Sequence, residues 1–167
     1  MTPIIIVPPT TWDRYFISIA DTVAKKSKCV SRKVGAILVR DRVVFSEGYN
    51  GPPRDIDLCH DGVCIWPKSN RSSPADLSGC PAAHAEANAI FHAARLGIAT
   101  RGAIIWMNCC IPCKNCMAAI INAGISHIIC VEPEDPKMIF YDELSKQYIH
   151  DSVIGVTILD RKQLYGA

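Results

Sequence analysis

The sequence predicts an α/β fold with a mixed sheet, and two patterns support this prediction. Residues 10–53 are typical of an amphipathic helix followed by a β-hairpin. From residue 84 onward, helix-length and strand-length apolar patterns alternate. Because strand–helix–strand units cross over in a right-handed sense, this alternation predicts a largely parallel later sheet with helices on both faces.

The N-terminal helix is predicted from Thr10 to about Ser27. Apolar side chains recur there at helical spacing, and Asp13 stands at the capping-box distance from Thr10. Two short strands, 34–39 and 43–45, follow, and the charged residues between them favour a hairpin.

The stretch 51–82 shows little periodicity and is rich in Pro, Gly, Ser, Asp and Cys. An irregular segment of this length inside a compact domain is usually functional, metal-tied or disordered. Helices and strands alternate after it. The predicted helices are 84–96, 113–122 and 138–148, and the predicted strands are 103–107, 126–131 and 153–159. No repeat or linker divides the chain, so one domain is expected over 1–167.

Composition excludes several classes of protein. The chain has 167 residues and a net charge of +2, which is too small for the basic face of a nucleic-acid-binding protein. No apolar run approaches the ~20 residues that span a bilayer, and the apolar segment 4–7 is too short for a signal peptide. We therefore expect a soluble, cytoplasmic protein that binds neither nucleic acid nor membrane.

Two motifs place three metal-binding side chains at predicted helix starts. His84 begins the helix after the irregular segment, and Cys113 and Cys116 begin the next helix. Two cysteines at this spacing lie on one face of a helix, and the positive end of the helix dipole favours their thiolate forms. One imidazole and two thiolates leave a tetrahedral position open, as in catalytic rather than structural zinc sites. These three residues are the predicted ligands of Zn²⁺.

Glu86 is the predicted proton carrier. Two thiolates neutralise much of the charge of a zinc ion, so an attacking water needs a nearby base to lose its proton. Glu86 stands two residues after His84, on the same helical turn. His-x-Glu followed by Pro-Cys-x-x-Cys is the signature of zinc-dependent nucleobase deaminases, in which the glutamate is not a ligand. Each half alone is less specific, because Cys-x-x-Cys also occurs in redox pairs and structural zinc sites.

Four other cysteines could bind a second zinc ion. The chain has nine cysteines, and an intracellular protein keeps its thiols reduced, which favours metal binding over disulfides. Cys59, Cys64 and Cys80 lie in the irregular segment, and Cys29 could supply a fourth ligand. The alternative is that these residues are small buried apolar groups. Core packing is also the interpretation for the cysteines of the predicted strands and their ends: Cys109, Cys110 and Cys130.

At these motifs the sequence resembles the cytidine deaminase superfamily, and within it the deoxycytidylate (dCMP) deaminases. The resemblance runs from about Trp12 to Leu159. Beyond the metal motifs it rests on Val-Gly-Ala at 34–36, Gly-Tyr-Asn-Gly at 48–51, Asn-Ala at 88–89 and Ala-Gly-Ile at 123–125. The run Asn-Cys-Cys-Ile at 108–111 departs from the family, which commonly has Thr shortly before Pro-Cys. The runs Cys-Pro-Ala-Ala at 80–83 and Glu-Pro-Glu-Asp-Pro at 132–136 depart from it as well. Together these departures leave open whether the substrate is a monophosphate or a triphosphate.

The resemblance implies a fold, a reaction and partners. The fold is a cytidine deaminase-like three-layer α/β/α sandwich around a five-stranded mixed sheet. The reaction is the zinc-dependent hydrolysis of dCMP to dUMP and ammonia, with dCTP as a second candidate substrate. The resemblance further implies a homo-hexamer that dCTP activates and dTTP inhibits.

It also assigns roles to residues outside the metal motif. Asn50 is expected to hydrogen-bond the sugar hydroxyl, and the backbone around Ala85 is expected to read the pyrimidine edge. A triphosphate effector is expected near the Gly-Tyr-Asn-Gly turn. Its candidate residues are Arg32, Lys33, Gly48 and Gly51. Turn geometry and solvated charge are the simpler explanations of these residues.

Two other functions remain open. A deaminase of another nucleobase or nucleotide would carry the same metal motif. A non-catalytic, zinc-bound nucleotide sensor would also fit, although such a protein would not need a carboxylate at Glu86.

Overall fold

The computed structural model describes residues 5–56, 59–60, 63–64, 79–136, 139–140 and 142–166. The strands in that part of the chain are β1 (Ile6–Val7), β2 (Gly35–Arg40), β3 (Val43–Tyr49), β4 (Cys59–His60), β5 (Val63–Cys64), β6 (Ile104–Met107), β7 (His127–Val131) and β8 (Gly155–Leu159). The helices there are α1 (Thr11–Ala24), α2 (Ala85–Arg95), α3 (Lys114–Asn122), α4 (Glu143–Asp151) and α5 (Arg161–Tyr165). None of the described helices has the length and apolar character that a membrane crossing requires.

The main sheet has the strand order β1-β8-β7-β6-β2-β3. Strands β6, β7, β8 and β1 are parallel, whereas β2 runs antiparallel to β3 and β6. The predicted α/β class and mixed sheet are therefore confirmed. The sheet has six strands rather than five, because Ile6 and Val7 pair with Ile158 and Leu159 at its edge. Two paired residues are too few to show a strand periodicity in the sequence.

Helices cover both faces of the sheet. Successive side chains of a strand point to opposite faces, and the residues of β2 divide accordingly. Ala36 and Leu38 belong to the core with α2 and α3, whereas Ile37 and Val39 belong to the core with α1. The result is the three-layer sandwich that the resemblance implied.

The helix ends show where local signals were sufficient. The predicted capping box at α1 is present: the Asp13 N–H donates to Thr10 Oγ1 at 3.2 Å, and the Thr10 N–H donates to the Asp13 carboxylate at 2.7 Å. Helix α4 begins at Glu143 rather than at Met138, which lies outside the described residues. Helix α5 was not predicted, because five residues are too short for a helical pattern.

One edge of the sheet collects the segments that carry functional groups. Strands β6, β7 and β8 are parallel, so their carboxyl ends lie together. Because β2 is antiparallel to β6, its first residue lies at the same edge, as does the end of β3. We call this edge the carboxyl edge; the segments there are 32–34, 50–51, 108–113, 132–135 and 160–165. Open α/β sheets bind ligands in this position.

Candidate active site

A short antiparallel bridge brings His84 to the carboxyl edge. The Ala83 N–H donates to the Gly51 carbonyl at 2.7 Å, and the Gly51 N–H donates to the Ala83 carbonyl at 3.1 Å. The chain therefore leaves the irregular segment beside the end of β3. His84 follows in an extended conformation as the N-cap of α2.

Close packing against β3 fixes the first turn of α2. A Cβ atom on Gly48 would lie 2.3 Å from both the Ala85 carbonyl oxygen and the Ala89 nitrogen. Only glycine permits this approach of helix and strand. The Asn88 side chain adds a hydrogen bond to the Tyr49 carbonyl at 2.7 Å. These contacts set the position of the His-Ala-Glu motif.

The cysteine pair lies at the start of α3. Cys113 is the N-cap of this helix, and Cys116 is buried one turn further on. A residue that the sequence reasoning missed, Asp142, holds the same helix end. Its carboxylate accepts hydrogen bonds from the Lys114 N–H at 3.0 Å and from the Ser145 N–H at 2.8 Å, so it joins the starts of α3 and α4.

The structure brings His84, Cys113 and Cys116 together as the sequence predicted. The Cys113 and Cys116 sulfurs lie 3.4 and 3.3 Å from His84 Nδ1. Tetrahedral zinc with ordinary bond lengths would set each nitrogen–sulfur distance at about 3.5 Å. In the described part of the chain, these are the residues whose ligand atoms all lie within 4.8 Å of one another. The donor set and its spacing therefore fit Zn²⁺.

Hydrogen bonds within the cluster favour one thiolate. The pKa of Cys113 is lowered to about 4, because the Cys116 thiol and the His84 ring donate hydrogen bonds to its sulfur. The pKa of Cys116 is raised, because this thiol is the donor in that pair and is buried. A bound cation would take the place of the shared protons, since metal binding requires deprotonated ligands.

The Glu86 carboxylate faces this cluster. Glu86 is only 5% exposed, and burial raises the pKa of its carboxyl group. The nearby His84 ring opposes this rise by favouring the ionised carboxylate. A buried carboxyl group beside a metal-binding cluster, with its pKa raised, is suited to holding and releasing a proton.

Comparison with known proteins identifies the family. The sequence profile of the cytidine and deoxycytidylate deaminase zinc-binding region matches residues 10–132. The chain belongs to this family.

Individual relatives agree with that assignment. The chain is 38% identical over 119 residues to deoxycytidylate deaminase of Schizosaccharomyces pombe, covering 71% of this chain and 36% of the relative. It is 35% identical over 123 residues to deoxycytidylate deaminase of Mycobacterium phage D29, covering 71% and 92%. The chain spans little more than a third of the length of the yeast relatives that it matches.

A solved structure shares the fold. The crystal structure of dCMP deaminase from the cyanophage S-TIM5, in complex with dCMP and dUMP, superposes with a TM-score of 0.67 at 21% identity. The match covers 91% of this chain and 99% of that one. At this identity the likeness shows the fold alone.

The residues that the family resemblance linked to substrate lie near His84 along the chain: Ala85 follows it, and Asn50 precedes Gly51, which pairs with Ala83. Ala85 is fully buried in the first turn of α2. Asn50 holds the loop before β2: its Oδ1 accepts a hydrogen bond from the Val34 N–H at 2.8 Å, and its Nδ2 donates to the Arg32 carbonyl at 2.9 Å. This explains why asparagine suits the turn. Contact with a substrate stays a prediction for both residues.

The four candidate effector residues do not share one cavity. Gly51 lines a cavity of about 540 Å³ beside α2, which we call the α2 cavity. Arg32 and Lys33 line a larger cavity of about 950 Å³ at the carboxyl edge, which we call the edge cavity. Gly48 is covered by α2.

The cysteines of the predicted second zinc site lie near one another. Cys59 and Cys64 are paired across the β4–β5 hairpin. The pKa of Cys59 is raised by burial and by the neighbouring Cys80, Cys64 and Cys29 thiols. Within the described residues, however, these four do not meet the 4.8 Å spacing of the His84 cluster. The second site stays a prediction.

The prediction that Cys109 packs in the core is confirmed, because it is 7% exposed and belongs to the core with α2 and α3. The sequence did not show that Cys109 also lines the edge cavity, nor that burial and the nearby Glu86 carboxylate raise the pKa of its thiol. Its distance in sequence from the His-Ala-Glu motif leaves no local signal of this proximity.

Proposed function

We propose that this chain hydrolyses the exocyclic amino group of dCMP, releasing dUMP and ammonia. The observation that carries the proposal is the buried Glu86 carboxylate beside the cluster of His84, Cys113 and Cys116. The family assignment supports it. So do the names of the relatives and the dCMP and dUMP bound to the cyanophage protein. The dUMP formed would be available for thymidylate synthesis.

Each residue of the site has a separate role in the proposed reaction. His84, Cys113 and Cys116 would hold Zn²⁺, which when bound makes water more acidic and so a better nucleophile. Glu86 takes a proton as water attacks the carbon that bears the amino group. Its raised pKa lets it hold that first proton and deliver it to the ring nitrogen. It then carries the second proton, from the newly added hydroxyl group, to the amino group, so that the C–N bond breaks and ammonia leaves as the carbonyl forms. Burial of the carboxylate keeps bulk solvent from competing for the proton.

Ammonia release from a panel of nucleotides tests the proposal. The zinc-loaded chain is assayed with dCMP, dCTP, CMP, deoxycytidine and AMP. We expect dCMP to be turned over, with dCTP as the second candidate. Turnover of AMP but of no cytosine compound would assign the chain to another class of deaminase. Binding of a nucleotide without any ammonia release would indicate a sensor.

We further propose that the α2 cavity binds a regulatory deoxynucleoside triphosphate. Its walls carry cationic side chains next to the Gly-Tyr-Asn-Gly turn: Lys26, Lys28, Arg54 and Arg95. Tyr49 and Phe91 add aromatic surface on which a base could stack. Positive charge in a cleft attracts the phosphates of dCTP and dTTP.

Kinetics with both effectors test this regulation. We expect dCTP to raise and dTTP to lower the turnover of dCMP, and Lys28→Gln to weaken both effects. Lys25→Gln is the control, because this lysine lines neither described cavity. Turnover that ignores both triphosphates would remove the regulatory proposal. A homo-hexamer, implied by the resemblance, is checked by light scattering in the same samples.

A second, structural zinc at Cys29, Cys59, Cys64 and Cys80 is the remaining part of the proposal. The thiols gather around the β4–β5 hairpin. A metal there would stabilise a segment whose sequence shows little apolar periodicity. We expect two zinc ions per chain by atomic absorption and one in Cys59→Ser, with Cys130→Ser as the control. One zinc in the unaltered chain would exclude the second site.

A further inference from the structure

The segment 108–113, which we call the cysteine loop, connects β6 to the start of α3. It carries Cys109, whose thiol lies near the Glu86 carboxylate. It ends at Cys113, the N-cap of α3 and a member of the metal cluster. A change in the path of this loop would therefore move both a metal-binding sulfur and a neighbour of the proposed proton carrier. Metal affinity and activity commonly depend on the residues that orient the ligands in this way.

Asn108 fixes the beginning of the cysteine loop. Its N–H donates to the Gly35 carbonyl at 3.2 Å, and its Oδ1 accepts from the Gly35 N–H at 2.9 Å. The asparagine side chain thus takes the place of a strand carbonyl one residue beyond the end of β6. Helix α1 packs closely at this point, because a Cβ on Gly35 would clash with the Ala20 carbonyl oxygen. The first residue of the loop is therefore attached to β2 where β2 meets α1.

Asp21 of α1 is the other partner of the asparagine side chain. Its Oδ1 accepts a hydrogen bond from Asn108 Nδ2 at 2.9 Å. The Tyr165 hydroxyl of α5 donates to Asp21 Oδ2 at 3.1 Å. Tyr165 is 47% exposed, so water competes for this second contact and it contributes less. Asp21 thus connects the cysteine loop to α1, with α5 as an outer support.

Two further contacts hold the loop, and neither involves α1. The Val131 N–H donates to the Cys109 carbonyl at 2.9 Å, and Arg32 Nη2 donates to the Cys110 sulfur at 3.4 Å. A thiol sulfur is a weak acceptor, whereas a hydrogen bond to the Asp21 carboxylate is charge-assisted and stronger. Loss of the bond to Asp21 should therefore displace the beginning of the loop, although its middle stays attached to the sheet.

We propose that Asn108 and Asp21 are positioning residues of the active site: their hydrogen bond holds the cysteine loop in the path that places Cys113 in the metal cluster and Cys109 beside Glu86. The proposal rests on the proposed function, because it takes this cluster to be the catalytic zinc site. Neither residue belongs to the cluster. Both act on it through the loop.

A reciprocal exchange of the amide and the carboxylate tests the proposal. In Asn108→Asp two carboxylates face each other and repel, so the loop should move. Adding Asp21→Asn restores the pair with donor and acceptor reversed. We expect the zinc affinity of the full chain to fall about tenfold in Asn108→Asp, the lower end of the effect of residues that orient metal ligands. The double variant should recover most of that loss.

Two readouts separate positioning from a general loss of stability. Cobalt(II) binds the same nitrogen and sulfur donors as zinc, and its visible absorption spectrum depends on their arrangement. The cobalt spectrum should change in Asn108→Asp and return to that of the parent chain in the double variant. At saturating zinc, kcat for dCMP should fall in Asn108→Asp with little change in KM, because the ligands and Glu86 act in the transition state.

Two single changes complete the set. Asp21→Ala removes the acceptor at a partly exposed helical position that tolerates alanine, and it should also weaken zinc binding. Arg14→Gln is the matched control, because it removes another contact between α1 and α5, the hydrogen bond from Arg14 Nη1 to the Leu164 carbonyl at 3.0 Å. It leaves Asp21 in place, so zinc affinity and the cobalt spectrum should match those of the parent chain.

The outcomes decide between positioning and a structural role alone. Parental zinc affinity in both Asn108→Asp and Asp21→Ala overturns the proposal. A loss that the double variant does not recover, or an equal loss in Arg14→Gln, also overturns it. If Asn108→Asp does not fold, weakened zinc binding in Asp21→Ala supports the proposal and parental binding overturns it. If loss and recovery are seen but the parent chain releases no ammonia from dCMP, the positioning role stands and the proposed reaction fails.

Discussion

At the scale of single residues, Glu86 is the side chain on which the proposed chemistry depends. Glutamine has nearly the same shape, so Glu86→Gln should leave the cluster of His84, Cys113 and Cys116 intact while removing the proton carrier. We expect zinc content to be unchanged and turnover of dCMP to fall by about 10²–10⁴-fold, the usual contribution of a general acid–base group. Atomic absorption and an ammonia assay measure the two effects. Glu47→Gln, an exposed change on β3, is the control. Turnover retained in Glu86→Gln would contradict the assignment of Glu86 as the proton carrier.

Asp142 supports the same site from outside the metal motif. Partial burial opposes its ionisation, but the hydrogen bonds from Lys114 and Ser145 outweigh this, and the pKa of Asp142 lies below its ordinary value of 3.8. We expect Asp142→Ala to lower the free energy of unfolding by about 1 kcal/mol, as loss of a helix cap does. Zinc affinity should also fall, because α3 carries Cys113. Thr10→Ala, which removes the α1 cap, should cost stability without weakening zinc binding.

The loss of unfolding free energy in Asp142→Ala should depend on pH, and the depressed pKa of Asp142 fixes the direction of that dependence. The folded-state pKa of Asp142 is depressed, so its contribution is present above the unfolded-state pKa of about 4. It is lost as the pH falls through the folded-state pKa. Urea unfolding of the parent chain and of Asp142→Ala should therefore give a clear difference at pH 7 and a smaller one near pH 3. A difference that grows on acidification would show that the carboxylate is not the stabilising form.

The residues that the sequence could identify are those whose neighbours are local. His84 with Glu86, and Cys113 with Cys116, are fixed by one helical turn each, and the known signature that combines the two halves predicted the cluster although they lie 29 positions apart. Asp142 reaches Lys114 across 28 positions of sequence, and Asn108 reaches Asp21 across 87. No spacing rule covers such contacts, because they depend on which strands become neighbours in the sheet.

At the scale of elements, the close approach of α2 to β3 positions the His-Ala-Glu motif. Gly48→Ala would place a methyl group 2.3 Å from the Ala85 carbonyl oxygen, so the helix must move away from the strand. Overpacking of this kind costs about 1–3 kcal/mol. We expect a lower midpoint of urea unfolding together with weaker zinc binding. Gly51→Ala is the matched control, because its added Cβ would meet no atom closer than 4.0 Å; equal effects of the two changes would refute the packing argument.

Elements with a full periodic pattern were predicted closely, whereas the shortest elements and the start of α4 were not. The prediction for α2 was 84–96 and the helix spans Ala85–Arg95, because its apolar face continues over three turns. The start of α4 is instead set by the Asp142 cap, which overrides the weak pattern before it. Strand β1 is held by pairing with β8. Helix α5 is held by side-chain hydrogen bonds to Glu134 and Asp21, which are distant in sequence.

At the scale of the whole molecule, the metal cluster joins the starts of two neighbouring helices, α2 and α3. His84 caps α2, Cys113 caps α3, and both helices pack into the same core. An ion bound between them links these helix starts in the folded state and has no equivalent site in the unfolded chain. Binding of this kind stabilises the fold by about 2.7 kcal/mol when free zinc is 100 times its dissociation constant.

We therefore expect the melting temperature of the metal-depleted chain to rise steadily as free zinc is raised. The rise should be much smaller in His84→Ala, because two thiolates without the imidazole bind the ion more weakly. His150→Ala, an exposed change on α4, should behave like the parent chain. Any zinc held at the cysteines around the β4–β5 hairpin would raise the melting temperature of all three proteins by the same amount. The difference in melting temperature between the variants therefore reports on the His84 cluster. Equal shifts in His84→Ala and His150→Ala would mean that zinc does not join α2 to α3, and the proposed chemistry would lose its metal.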